Sequence, residues 1–219
     1  QLEEDIAQAN IALDLIGQAR NYLTYAGEIE GKGRSEDDLA YLRTDREYLN
    51  VLITELPKGA YARTIARSFL FDAFHLPLQQ ALTKSTDERL KGIAEKAVKE
   101  VTYHLRHSGE WLVRFGDGTA RSHDLAQDAL DDLWRYTGEL FIPDEAEEML
   151  AKSGVAPKLS DIKKEWNATI DRTLKEGELK RPADGWMASG GKKGVHSEHL
   201  GPMLAEMQTL QRTFPGAEW

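Results

Sequence analysis

The chain has 219 residues, 41% of them hydrophobic and 30% charged, with a formal net charge of -9 and no cysteine. That length suits one large core burying roughly 70% of the unfolded surface, and the composition excludes wholesale disorder. The acidic balance argues against a general nucleic-acid binder, the lack of cysteine excludes disulfides, thiolate zinc and a cysteine nucleophile, and no apolar run nears the roughly 20 residues of a membrane span. A cytoplasmic protein of one domain over 1–219 is the expectation. The sequence opens on Gln1 rather than Met, so a segment ahead of it is expected too.

Residues 2–27 read as the first helix, with Leu2, Ile6, Ala9, Leu13, Ile16 and Leu23 on one stripe. Ile11, Ala12, Leu15, Ala19 and Tyr22 widen that stripe past half the circumference, which predicts a largely buried helix. Arg20 falls inside the arc and calls for a carboxylate partner. A glycine-rich loop follows at 31–35, then a helix expected over 37–52 through Leu39, Leu42, Leu49 and Leu52.

Residues 60–82 are apolar almost all round and predict a central helix, with Asp72 and His75 flanked by apolar residues and a kink at Pro77. The next helix begins after Asp87 as N-cap and ends near Phe115, before Gly116. Its inner face carries Ile93, Ala97, Val101, His104, Ser108, Trp111 and Leu112, so His104 points inward among apolar neighbours. Helices are expected over 123–141, 143–151 and 160–175, the last centred on Trp166 and Ile170. No period appears over 179–196, and a final helix covers 197–213. With no strand-like alternation, the fold class is all-α: antiparallel helices with additional C-terminal ones.

The inward polar set is Asp72, His75, Glu100 and His104, with Asp14 and Gln18 as contributors from the first helix. Two readings stand. One is a carboxylate-bridged dimetal centre, which needs a Glu from each of two helices and Glu-x-x-His from each of the other two. The other is a buried network whose polar groups satisfy one another, with Asp72 as partner of His104. In the Glu-x-x-His register the chain offers Leu15 with Gln18 and Val101 with His104, which removes two carboxylates and one imidazole. Elsewhere, Lys192 and Lys193 in the glycine-rich 190–194 stretch are candidates for a phosphate or partner contact, and His196 with His199 lacks a third zinc ligand.

Three stretches carry a resemblance: 9–21 (Ala9 to Asn21), 99–106 (Lys99 to Arg106) and 190–208 (Gly190 to Gln208). They resemble the PaaC family, the smaller ferritin-like subunits of bacterial phenylacetyl-CoA epoxidase. The resemblance implies a ferritin-like four-helix bundle and a non-catalytic, structural role in aerobic phenylacetate degradation. It implies as partners PaaA, the di-iron catalytic subunit, and the other subunits of an oxygen- and NADPH-dependent complex, with iron in PaaA and no cofactor in this chain. Self-association is left open. Leu15, Gln18, Asp72, Val101 and His104 would then mark a degenerate metal site. The alternative is an autonomous di-iron or di-manganese oxygenase that uses Asp72, His75, Glu100 and His104.

Overall fold

A computed structural model describes residues 2–217, which form eight α-helices, several short 3-10 turns and no strand. The chain is all-α, as its periodicity predicts. It divides into two compact units. One joins the two ends of the chain: residues up to Asn50, then Thr54–Leu56, then Gly190 onward. The other is Val51–Ile53 with Pro57–Ser189. No helix among the described residues is long and apolar enough to cross a membrane.

The second unit is built around α3 (Tyr61–Leu82), which packs against α4 (Glu88–Gly116), α5 (Ala120–Leu133) and α7 (Leu159–Glu176). Apolar residues surround α3 because it has neighbours on nearly every side, and Ile65, Ala66, Phe69 and Leu70 are completely buried. Removing a side chain of this size from water stabilises the fold by roughly 1.5–3 kcal/mol. Pro77 lies within α3, which continues to Leu82. Trp166 of α7 is 2% exposed, donates its indole N–H to the Leu70 carbonyl at 3.0 Å, and meets Phe141 edge-on at 5.2 Å. The indole thus has both its apolar and polar requirements met at the α3–α7 contact.

Local chemistry sets the ends of these helices. The Asp87 carboxylate accepts from the backbone N–H of Arg89 and of Leu90, both at 2.9 Å, which starts α4 where the sequence predicts. Thr119 and Ser122 form the capping box of α5, and Asp144 and Glu147 that of α6 (Glu145–Ser153). At its far end α4 crosses the end of α7 backbone to backbone. A Cβ on Gly116 would overlap the Gly177 carbonyl and lie 2.9 Å from Leu179 Cγ, so only glycine fits that crossing.

In the first unit, α1 (Leu2–Glu30) and α8 (Leu200–Thr213) both contact α2 (Glu36–Tyr41). Two expectations fail here. The first concerns α1: its buried residues are Gln18 and Gly27, while Leu2, Ile6, Leu13 and Ile16 are more than half exposed. Periodicity identifies an apolar stripe without supplying its cover, and α2, of six residues, is too short to cover a helix of 29. Arg20 still finds its carboxylate, Glu36 at 3.0 Å.

The second failure is the helix expected over 37–52. It stops at Tyr41 and gives way to 3-10 turns at Asp45–Glu47 and Leu52–Thr54. Thr44 and Glu47 close a capping box of their own, with Glu47 Oε2 2.8 Å from both the backbone N and the hydroxyl of Thr44. That local bonding competes with continuation of α2.

Candidate functional site: a buried polar cluster between α3 and α4

Helical spacing puts Asp72 and His75 three residues apart on α3, and His104 and Ser108 four apart on α4. Asp72 is 6% exposed and His75 9%, while His104 and Ser108 are at most 1% exposed. Ser108 Oγ lies 2.8 Å from Asp72 Oδ2 and 2.9 Å from the His104 carbonyl. A hydroxyl has one proton to give, so the two contacts depend on the state of Asp72. When Asp72 is ionised it accepts that proton. When it is protonated it donates to Ser108 Oγ, and Ser108 passes its own proton to the His104 carbonyl. Burial pushes the Asp72 carboxyl from an ordinary 3.8 up to about 7, with the Ser108 hydrogen bond pulling the other way.

His75 is held neutral by the opposite effect on a base. Burial lowers it from 6.5 to about 4, and the nearby His104 adds to the lowering. Its Nε2 is 2.9 Å from Gln79 Nε2, which has only protons to give, so Nε2 accepts. The ring also lies 5.2 Å from that of Phe71.

The structure brings Asp72, His75 and His104 into one buried region but changes their pairing. The expected partner of His104, the Asp72 carboxyl, bonds instead to Ser108, one helical turn further along α4. Glu100, one turn before His104 on α4, lies at the edge of the inner face, with its side chain 20% exposed and 4.0 Å from Lys96. Val101 is completely buried. Leu15 (38% exposed) and Gln18 (5% exposed) belong to α1 in the first unit. Lys192 and Lys193 form a 3-10 turn with buried Gly191, and Lys193 is exposed.

These residues do not fit a di-iron centre. Two divalent cations in a low-dielectric core need about four carboxylates to balance them. Asp72 and Glu100 offer two at most, and burial keeps Asp72 partly protonated near neutrality. An apolar Val101 occupies the position three before His104, and among the described residues no three His, Cys, Asp or Glu side chains converge as metal ligands.

A second polar constellation, in the first unit, escapes sequence reasoning. Glu55, whose side chain is fully buried, receives Asn50 Nδ2 at 2.9 Å and both the backbone N–H (2.9 Å) and hydroxyl (2.7 Å) of Ser197. His196 Nδ1 lies 2.6 Å from Glu55 Oε1, and its Nε2 gives a proton to the Tyr48 carbonyl at 2.8 Å. The Ser197 hydroxyl faces Glu55 rather than His196, so this is a clasp and not an activated nucleophile. It also removes His196 from any zinc site, while His199 pairs loosely with Glu198 at 3.9 Å. The partners are 141 residues apart, and no local pattern announces them.

The chain belongs to the phenylacetic acid catabolic protein family, whose match extends over residues 1–219. Within that class it is 48% identical over all 219 residues to a subunit of the 1,2-phenylacetyl-CoA epoxidase of Escherichia coli strain K12, and covers 88% of that protein.

Proposed function

We propose that this chain is the structural, non-catalytic subunit of a phenylacetyl-CoA epoxidase, and that it supports a di-iron catalytic subunit of the PaaA type. The supporting observation is the donor set between α3 and α4. Where the dimetal pattern needs a carboxylate three residues before the histidine, Val101 is buried, and Asp72, the buried acid on α3, is engaged with a serine hydroxyl. The likeness to an epoxidase subunit supplies the setting, since it places a relative in a multisubunit enzyme. In this reading the iron, the acyl-CoA and the oxygen chemistry belong to the partner. This chain contributes a rigid helical surface, of the kind that in obligate complexes commonly buries more than about 2,000 Å². The complex works in the cytoplasm.

Metal analysis and assembly test this together. The isolated chain is expected to carry far less than one equivalent of iron and to elute with the catalytic subunit in a fixed ratio. Two tightly held iron equivalents on the isolated chain would sink the proposal and favour an autonomous oxygenase.

A further inference from the structure

The Gln79 amide settles which ring nitrogen of His75 carries a proton. Gln79 Nε2 lies 2.9 Å from His75 Nε2 and donates to it, so that ring nitrogen holds a lone pair. A ring that accepts at one nitrogen is not an imidazolium, and a neutral imidazole keeps a single proton, which is then on Nδ1. Nδ1 is closed to solvent and finds no acceptor among the described residues. The side chain is buried, with its ring 5.2 Å from that of Phe71. A buried N–H donor left in this way is costly, and native structures satisfy such groups with protein oxygens or with ordered water.

This polarity is the reverse of a metal ligand's. A histidine that binds an ion gives it one nitrogen lone pair and donates its other N–H to a carboxylate or carbonyl. In His75 the lone pair of Nε2 is taken by Gln79 and Nδ1 is protonated, so neither nitrogen is open to a cation. What Nδ1 calls for is a small hydrogen-bond acceptor.

A second atom narrows the choice of acceptor. Asp72 stands three residues before His75 on α3, a spacing that makes helical side chains neighbours, with about 5–6 Å between Cβ atoms. Its Oδ2 is engaged with Ser108, while Oδ1 makes no hydrogen bond among the described residues. Oδ1 is an acceptor both when the acid is ionised and when its proton is on Oδ2, facing Ser108. The ligand must therefore accept from Nδ1–H and donate to Oδ1. Water does both, and buried waters typically make about three hydrogen bonds to polar groups of this kind. A simple anion has no proton to give and would be repelled by the ionised acid.

We propose that His75 Nδ1–H and Asp72 Oδ1 hold one ordered water molecule in the polar cluster between α3 and α4, with Gln79 fixing the histidine tautomer that requires it. Joint X-ray and neutron crystallography of the wild-type chain in heavy water tests this. The expected result is a deuteron on His75 Nδ1, none on Nε2, and a water oxygen within about 3.2 Å of both Nδ1 and Asp72 Oδ1. A deuteron on Nε2, a protein oxygen bonded to Nδ1, a metal ion on the ring, or no water within that distance of both atoms overturns the proposal. In solution, Gln79→Glu replaces the donor by an acceptor, and nitrogen NMR of the imidazole should show the His75 proton move from Nδ1 to Nε2. An unmoved proton in the folded variant overturns the role of Gln79, and if that variant does not fold, the deuteron positions in the wild type decide. Two iron equivalents on the isolated chain, found together with this water, would sink the structural-subunit reading and leave the water site standing.

Discussion

Replacing Asp72 by Asn removes one ionisation from the interior of the protein and little else. The carboxamide has the shape of the protonated acid and, through Nδ2–H, can donate to Ser108 Oγ as that acid does. The effect on stability follows from the shift in Asp72 from 3.8 to about 7. Between those values the folded state holds a proton that the unfolded state has released. Stability therefore falls as pH rises through that window and is lowest above pH 7. The full difference amounts to about 4 kcal/mol, an order-of-magnitude figure. Urea unfolding at pH 5, 6.5 and 8.5 measures it. Asp72→Asn should be ahead of wild type by about 1–2 kcal/mol at pH 5 and by about 4 kcal/mol at pH 8.5. Parallel stability curves across that range would refute the assignment. His75 acts in the opposite sense, since its folded value falls from 6.5 to about 4. Its contribution is intact above pH 6.5 and is lost as pH falls toward 4. The two slopes partly cancel in the wild type below pH 6.5, so the single substitution exposes a dependence that the parent protein conceals.

Other expected outcomes follow from the same geometry. His196→Ala leaves the buried Glu55 without one of its hydrogen-bond partners and should cost about 1–3 kcal/mol, read as faster amide exchange across α8 and the preceding turn. A double-mutant cycle with Glu55→Gln should return a coupling above about 1 kcal/mol, and an additive pair would contradict the clasp. Gly116→Ala pushes a methyl group into the Gly177 carbonyl and should destabilise by about 2 kcal/mol or more in thermal unfolding, while the same change at open Gly92 stays within about 1 kcal/mol of wild type.

Periodicity made the architecture of the second unit legible. On α4, Ile93, Ala97, Val101, His104, Ser108 and Leu112 are buried together because one period of 3.6 places them on one face. The central position of α3 could be read because its apolar residues leave no face for water. On α1 the same signal was misleading. A stripe specifies what a helix would cover, and the amount of neighbouring structure decides whether it is covered. The site was legible in its members and not in its bonds. Asp72 and His104 announce themselves as polar residues on apolar faces, but the choice of Ser108 over His104 as partner of Asp72 depends on the stagger of two helices. Glu55 carried no signal at all, since a glutamate in a polar loop looks solvated until a histidine from far along the chain arrives.

The clasp also has a consequence for the order in which the protein becomes whole. The unit containing Val51–Ile53 and Pro57–Ser189 is almost continuous in sequence, and all of its residues precede His196 and Ser197. The other unit is drawn from both termini, and its buried glutamate waits for His196 and Ser197. Until they emerge, Glu55 lacks the partners that make its burial tolerable, and α2 lacks its contact with α8. A chain interrupted before His196 would have a finished helical unit joined to an unfinished one, a difference that a cell's proteases can act upon.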